Sequence, residues 1–248
     1  MTTEQTLIIG ANSDIGKAIA AQIQASENTD LILISRGLAN INLVSSETIK
    51  AKVTTITVAN YQPESIEKAI EQLAQYNHAP ITRVFVCNGI LHSQNIKPEK
   101  RLEDFDAQAF IDVITSNSLT PMLWIQKLTP LLTGKSPCKF VLFSARVGSI
   151  SDNRLGGWYS YRASKAALNM MVKTASIELA HRAKNIKLIA FHPGTTDTPL
   201  SKPFQKNVPT NKLFTAEFVA KQLLAIVEEA PLDQTVSYLD WQGDTINW

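Results

Sequence analysis

Residues 7–17 read LIIGANSDIGK: a short apolar run, a glycine turn, and then a segment whose apolar residues follow a helical spacing. A strand that passes through a glycine turn into a helix points backbone N–H groups and the positive end of the helix dipole at one place. Turns of this kind bind the phosphates of nucleotides. The stretch therefore predicts an α/β fold that begins with a nucleotide-binding unit.

Two kinds of phosphate-binding turn compete for this stretch. A P-loop for ATP requires four residues between its first glycine and its Gly-Lys pair, followed by Ser or Thr. Here Gly10 and Gly16 enclose five residues and Lys17 is followed by Ala18, so the P-loop is excluded. A dinucleotide turn remains, in which Gly10 makes the bend and Gly16 lets the helix approach the strand. An ordinary strand-to-helix turn is the alternative.

The rest of the chain alternates short apolar runs with segments of helical periodicity. The predicted strands are 7–10, 31–35, 53–58, 83–87, 139–144, 187–191 and 235–239. The predicted helices are 15–25, 64–76, 104–132, 159–184 and 216–229, with a short helix in the loop-rich region 38–50. This alternation predicts a parallel sheet covered by helices on both faces. We expect one doubly wound α/β (Rossmann) domain of about seven strands over residues 1–248, with a lid around 195–210.

Composition limits the function classes. The chain has 248 residues, of which 44% are hydrophobic and 19% are charged. It contains 24 basic and 22 acidic residues. No dense basic run suggests a nucleic-acid partner, and no apolar run approaches the ~20 residues of a membrane span. The polar start leads straight into a strand, so we expect a cytoplasmic protein. Cys87 and Cys138 lie in apolar segments and are expected to be reduced core residues.

The end of the second predicted strand carries Ser35 and Arg36. An acidic side chain at this place binds the free 2′-hydroxyl of NAD, whereas a basic one accommodates a 2′-phosphate. NADP(H) is therefore expected over NAD(H). A merely solvated arginine is the alternative.

A second motif places a phenol and an ammonium group four residues apart on a predicted helix. Residues i and i+4 share a helix face, so Lys165 is expected to lie near Tyr161 and to lower the pKa of its phenol. Tyr159 has only Ala163 at the same spacing. The spacing therefore selects Tyr161 as a proton-transfer group, against the alternative of an ordinary helix with a surface lysine.

These motifs resemble the short-chain dehydrogenase/reductase family, in order and over nearly the whole chain. The matching elements are the glycine turn 10–16, the Cys-Asn-Gly-Ile stretch 87–90, Asn117, the Tyr161 and Lys165 pair, and the Pro-Gly-x3-Thr segment 193–198. Residues 145–150 and 155–161 are most similar to the C-factor-like and Sniffer-like carbonyl reductases. The resemblance implies reduction of a small carbonyl compound, and a homodimer or homotetramer.

The resemblance also implies the site residues. The expected catalytic residues are Tyr161, Lys165, Asn117 and Ser144. Tyr161 would donate the proton to the carbonyl oxygen, Lys165 would tune that phenol and bind the nicotinamide ribose, and Asn117 would anchor a water. The expected cofactor-binding residues are Gly10, Asn12, Ser13, Asp14, Ile15, Gly16, Ser35, Arg36, Asn60, Asn88, Gly89, Tyr161, Lys165, Pro193, Gly194, Thr196 and Thr198.

Three departures from the family pattern concern this site. Ala145 stands where the family usually has the serine that binds the substrate oxygen, so Ser144 first, then Ser149, or Tyr161 alone with backbone and water, is expected to take its place. Asn60 replaces an aspartate beside the adenine. Asp14 replaces the middle glycine, and we expect it to cap the first helix by accepting from the Lys17 amide.

The missing serine leaves a second function open, that of a nucleotide-binding signalling or regulatory protein with little or no turnover. The residues expected to contact substrate are His92, Arg146, Asp152, Asn153, Arg154, Leu155, Trp158 and the 195–210 segment. The tail carries Trp241 and Trp248, which we expect to pack on the rim of the site or on a second subunit.

Overall fold

The structure, a computed structural model, describes residues 4–24, 29–37, 52–76 and 78–248. Seven strands form its central sheet: β1 Glu4–Ile9, β2 Thr29–Ser35, β3 Val53–Thr57, β4 Ile81–Val86, β5 Cys138–Phe143, β6 Ile186–His192 and β9 Ser237–Asp240. All neighbouring pairs are parallel, in the order β3-β2-β1-β4-β5-β6-β9. Two short strands, β7 Thr195–Thr196 and β8 Leu213–Phe214, pair separately.

Helices cover both faces of this sheet. They are α1 Asp14–Gln24, α2 Pro63–Gln75, α3 Ala107–Ile114, α4 Thr120–Leu132, α5 Tyr159–Arg182 and α6 Ala216–Glu229. Alternate side chains of β1 enter different cores, Leu7 and Ile9 with residues of α2, α4 and α5, and Ile8 with residues of α1 and α6. Strands buried on both faces explain the uninterrupted apolar runs in the sequence. The predicted doubly wound α/β fold is confirmed.

The strand order reverses beside β1. The chain runs outward from β1 through β2 to β3 and then returns to β4 on the other side of β1. The loops after β1 and β4 therefore diverge and leave a crevice at the carboxyl ends of these strands, where open α/β sheets bind ligands. The two loops are residues 10–13 and 87–101.

The predicted helix 104–132 differs in detail. It begins at Ala107, where the Asp106 carboxylate accepts from the Ala109 amide at 2.7 Å. A π segment, Thr115–Leu119, then joins α3 to α4, with the Thr120 amide bonded to the Thr115 carbonyl five residues back. Pro121 explains the irregularity, because it has no N–H to donate to the carbonyl of residue 117, four residues before it. π segments of this kind often occur at functional sites.

Two further expectations concern the loops. The short helix expected within 38–50 lies outside the described residues. The segment 195–210 contains β7, a 3₁₀ turn at Lys202–Asn207 and the start of a second one at Thr210–Lys212. Across the described ranges, no helix is both long and apolar enough to cross a membrane.

Candidate active site

The turn after β1 explains both of its glycines. Gly10 has φ of 74°, and a Cβ there would lie 3.1 Å from the Cys87 carbonyl carbon at the end of β4. A Cβ on Gly16 would lie 2.9 Å from the Gly10 carbonyl oxygen. A side chain at either position would push α1 or the neighbouring loop away. The turn is therefore tight, with the amino end of α1 directed to the carboxyl edge of the sheet.

The cap of α1 differs from the expectation. Asp14 is the first residue of the helix, and the Ser13 hydroxyl accepts from the Gly16 amide at 3.1 Å. The Lys17 amide donates to the Ser13 carbonyl at 2.8 Å. The prediction that Asp14 caps the helix is wrong, because Ser13 already occupies the capping position. The Asp14 side chain is left half-buried at the cavity wall.

Asn117 of the π segment supports the loop after β4 from behind. Its amide oxygen accepts from the Ile90 N–H at 2.7 Å, and its amide nitrogen donates to the Ile90 carbonyl at 2.8 Å and to the Ser164 hydroxyl at 3.0 Å. The side chain is fully buried. A Cβ on Gly89 would lie 3.3 Å from the Asn117 oxygen. Asn117 thus ties the loop to α5.

Tyr161 and Lys165 lie in the first two turns of α5 and both line the cavity. The Lys165 ammonium donates to the Phe143 carbonyl at 2.7 Å, and its nitrogen lies 5.7 Å from the centre of the Tyr161 ring. A Cβ on Gly89 would lie 3.6 Å from this nitrogen. Lys165 therefore bridges α5, the end of β5 and the loop after β4.

The pKa values of this pair are governed by burial. Burial lowers the pKa of Lys165 to about 8. Burial also raises the pKa of Tyr161 above its ordinary value, and the nearby Tyr238 adds a smaller contribution in the same direction. The prediction that Lys165 lowers the Tyr161 pKa is wrong in this structure, because the loss of water around the phenol, and not the Lys165 charge, determines the direction of the shift. Tyr161 is consequently a protonated acid at neutral pH.

Ser144, immediately after β5, belongs to a buried network. Its hydroxyl donates to the Asn169 amide oxygen at 2.6 Å, and the Tyr238 hydroxyl donates to the Ala145 carbonyl at 2.7 Å. Ser144 and Ala145 line the cavity. Ser149 is buried, and its hydroxyl accepts from the Asp152 amide at 3.3 Å.

One cavity of about 540 Å³ joins these parts. It is lined by predicted site residues from the first turn, the loop after β4, β5, α5 and the 193–198 segment: Asn12, Ser13, Asp14, Ile15, Asn88, Gly89, Ser144, Tyr161, Lys165, Pro193, Gly194, Thr196 and Thr198. Gly10 and Gly16 shape the turn beneath it. Four of its polar atoms, Asn12 Oδ1, Asn88 Oδ1, His192 Nδ1 and Thr196 Oγ1, are buried without a hydrogen-bond partner. These atoms suit a polar ligand such as a dinucleotide.

Ser35, Arg36 and Asn60 lie apart from this cavity, at the carboxyl ends of the adjacent strands β2 and β3. Ser35 is the last residue of β2, Arg36 follows it, and Asn60 follows β3. The guanidinium carbon of Arg36 lies 5.3 Å from the centre of the Tyr61 ring, and Arg36 is otherwise exposed. Ser35 is buried. The Asn60 amide oxygen accepts from the Gln62 amide at 2.9 Å. A cation held at this edge is suited to an anionic group.

The expected substrate residues divide into two groups. Arg146, Trp158 and residues of the 195–210 segment line the cavity, whereas His92, Asp152, Asn153, Arg154 and Leu155 do not. His92 instead contacts the segment, with Nε2 donating to the Pro199 carbonyl at 3.1 Å. The tail tryptophans pack within the chain, Trp241 against Phe214 at 4.3 Å and Trp248 against Tyr238 at 5.1 Å between ring centres.

Sequence reasoning missed three residues beside the site. Asn169 binds Ser144, and its place four residues after Lys165 is a signal that the spacing rule could have found. Tyr238 reaches the site from β9 with no local signal. His192 lines the cavity, its Nδ1 has no partner, and burial, assisted by Arg146, lowers its pKa to about 4. In the described ranges no cluster of His, Cys, Asp or Glu could hold a metal ion.

Comparison with known sequences agrees with this geometry. The sequence model of the short chain dehydrogenase family matches residues 4–209. A curated relative, the C-signal protein of Myxococcus xanthus, is 27% identical over 147 residues, which are 59% of this chain and 83% of the relative. The chain belongs to the short-chain dehydrogenase/reductase family and is an oxidoreductase of that class.

Solved structures of carbonyl reductases have the same fold as this chain. The carbonyl reductase Sniffer of Drosophila melanogaster superposes with a TM-score of 0.83 at 18% identity, over 99% of this chain and 100% of that one. The NADPH-bound carbonyl reductase from chicken fatty liver gives 0.81 at 20% identity, over 100% of both chains. The resemblance to the family and to its C-factor-like and Sniffer-like members is confirmed.

Proposed function

We propose that this protein is an NADP(H)-dependent short-chain oxidoreductase that reduces an aldehyde or ketone to an alcohol, with Tyr161 as proton donor. The observation that carries the proposal is the single cavity in which the glycine turn, the Asn88 loop and the Tyr161 and Lys165 pair meet. A nucleotide bound along that cavity would have its reactive end beside the phenol. The NADPH-bound chicken carbonyl reductase, which shares the fold, supports the same cofactor.

The proposed roles follow from the positions of the residues. The amides of the 10–16 turn and the amino end of α1 would face the pyrophosphate, and the 193–198 segment would hold the nicotinamide end. Bound NADPH supplies the hydride. Tyr161, protonated because burial raises its pKa, gives its proton to the carbonyl oxygen as the carbon is reduced. Lys165 would bind the ribose and pass a proton to the Tyr161 phenolate, which re-forms the phenol, and would regain its own proton from water.

Asn117 is proposed to connect Lys165 with solvent. Pro121 has no N–H to donate to the backbone carbonyl of Asn117. That carbonyl is therefore available to a water molecule. Ser144 is proposed as the second donor to the substrate oxygen in place of Ala145. Its hydroxyl must first rotate away from Asn169, which it contacts at 2.6 Å.

The preference for NADP(H) is proposed from Arg36. The Tyr61 ring beneath its guanidinium orients the cation without neutralising it, so that it remains available to a 2′-phosphate. Titration of protein fluorescence with NADPH and NADH tests this. NADPH should bind more tightly; equal affinities, or tighter NADH, would contradict the role of Arg36.

The remaining proposals concern the whole chain. Residues 1–248 are proposed to form one domain whose 195–210 segment acts as the substrate lid. Met170 and Ile177, exposed apolar side chains two turns apart on α5, support a homodimer or homotetramer. The free thiols Cys87 and Cys138 support a cytoplasmic location.

The test of the activity is NADPH oxidation with a panel of aldehydes, ketones and quinones. Wild-type protein should turn over at least one of them, and Tyr161→Phe should lose activity by about a hundredfold or more. Tyr159→Phe is the matched control, because Tyr159 is on the same helix, partly exposed and without a cation at i+4. Equal activity of the two variants would contradict the role of Tyr161.

A second candidate function is favoured by Ala145. Without a free serine at that place, the chain would bind NADPH as a signalling or regulatory protein with little turnover. The relative named C-signal is consistent with this alternative. If the protein binds NADPH tightly but oxidises it with no carbonyl compound, the signalling or regulatory function is favoured over the reductase.

A further inference from the structure

Trp158 stands out at the cavity because its backbone is left-handed, with φ of 55° and ψ of 43°. Residues with a Cβ disfavour this conformation, because the Cβ approaches the following carbonyl oxygen. The two residues before it, Gly156 and Gly157, have φ of 63° each. The chain thus uses glycine at two of three consecutive left-handed positions and a tryptophan at the third.

The surrounding backbone holds Trp158 in this conformation. Its N–H donates to the Glu99 carbonyl at 2.6 Å, and its carbonyl accepts from the Arg162 N–H at 2.8 Å. The Arg162 side chain donates to the Gly157 carbonyl at 2.9 Å. The buried Glu99 carboxylate contacts the Ser160 hydroxyl and amide. Strained residues that are braced in this way cluster at functional sites.

The fixed backbone of Trp158 sets the position of its indole ring. It meets the Tyr161 ring edge-on, 6.1 Å between centres, and the Phe204 ring of the 195–210 segment at 5.0 Å. Phe204 also meets the His92 ring at 5.7 Å. Trp158 therefore forms a wall between the proton donor and the segment that covers it.

The cavity around this wall is apolar. The lining of the same cavity includes the apolar side chains of Leu91, Val147, Leu200 and Val208. Among the described residues, two cations line this cavity: Arg146 is bonded to Asp240 at 2.8 Å, and Lys165 donates to the Phe143 carbonyl at 2.7 Å. An apolar slot with an aromatic wall beside a proton donor suits a flat ring that carries a carbonyl group.

We propose that Trp158 is the specificity-determining residue of the substrate site, and that it selects flat aromatic carbonyl compounds by packing its indole against their rings. Its left-handed backbone holds the indole beside Tyr161 and Phe204. This inference rests on the proposed reductase activity.

The experiment compares Trp158→Phe, Trp158→Ala and Trp158→Gly with the wild type on 9,10-phenanthrenequinone and on propanal. The Ala and Gly variants should lose about tenfold or more in kcat/KM for the quinone and less than about threefold for propanal. Trp158→Phe should keep most of the quinone activity. Trp158→Gly should melt about 2–8 °C above Trp158→Ala, because glycine removes the left-handed penalty.

The control is Gln234, a left-handed residue in the loop before β9 with φ of 60°. Gln234→Gly should also raise the melting temperature relative to Gln234→Ala, and should leave both activities unchanged. An equal loss on quinone and propanal, or no loss on either, would overturn the role of Trp158 while the reductase activity stands.

A binding measurement separates this inference from the proposed function. Calorimetry of 9,10-phenanthrenequinone with the NADP⁺ complex needs no turnover. If the wild type reduces no carbonyl compound, the reductase proposal fails. If it also binds the quinone no better than Trp158→Ala does, the specificity proposal fails independently.

Discussion

Replacing Asn117 by alanine tests the junction between the π segment and the loop after β4. The side chain makes three hydrogen bonds in a fully buried place, two of them with the backbone of Ile90. The Ser164 hydroxyl keeps its bond to the Tyr161 carbonyl at 2.8 Å, so the groups left unpaired are the Ile90 N–H and carbonyl. Each costs about 1–3 kcal/mol when it is buried without a partner.

The expected loss in free energy of unfolding is therefore about 2–6 kcal/mol. Urea unfolding followed by circular dichroism measures it, and each kcal/mol corresponds to about 2–4 °C in melting temperature for a domain of this size. The matched control is Ser118→Ala, because the neighbouring buried Ser118 makes one hydrogen bond, to the Ser164 carbonyl at 2.6 Å. This control should lose about 1 kcal/mol.

Equal stability losses in the two variants would refute the reasoning, because Asn117 would then support nothing beyond an ordinary buried bond. Asn117→Asp separates the side chain's role as hydrogen-bond acceptor from its role as donor. The carboxylate keeps an acceptor for the Ile90 N–H but faces the Ile90 carbonyl without a proton to donate, so it should destabilise at least as much as alanine does.

Three further predictions follow from single residues. Tyr61→Leu should weaken NADPH binding about two- to fivefold and leave NADH binding unchanged in fluorescence titrations, because the cation–π contact with Arg36 is lost; equal weakening of both would contradict it. Ala145→Ser should leave kcat nearly unchanged, because Ser144 is proposed to donate to the substrate oxygen already, and a rise in kcat of about tenfold or more would contradict that role of Ser144. Burial lowers the pKa of His192 to about 4, so the unfolded chain binds the proton first as the pH falls. Stability should therefore be full above pH 6.5 and decline toward pH 4, with a slope of at most about 1.4 kcal/mol per pH unit. Urea unfolding of His192→Gln should show a shallower decline, and identical pH profiles would count against the assignment.

The order of strands and helices was predictable because each element has a local signal. Strands buried on both faces leave continuous apolar runs, and the Gly10 and Gly16 spacing marks the one turn that the backbone must make tightly. The spacing of Tyr161 and Lys165 also predicted that both would line one cavity.

What the sequence did not reveal depends on burial and on distant parts of the chain. Asn12, Ser13 and Asp14 are all good capping residues, so composition does not decide which of them caps α1. Spacing places Lys165 near Tyr161 but does not report the loss of water that raises the phenol pKa. Tyr238 reaches Ala145 across 93 positions, a contact that only the assembled sheet creates.

The π segment has a consequence for how this chain can change. A π turn closes a larger ring than the turns on either side of it and holds one residue in excess. One residue deleted between Thr115 and Leu119 would return the segment to α-helical pitch, apart from the hydrogen bond that Pro121 cannot make, and leave α3 and α4 facing their present neighbours. The same deletion would draw Asn117 away from Ile90. At this point the continuity of the helix and the position of Asn117 therefore depend on different features of the sequence. A variant shortened by one residue here would keep the fold and lose the Asn117 contact that the active site requires.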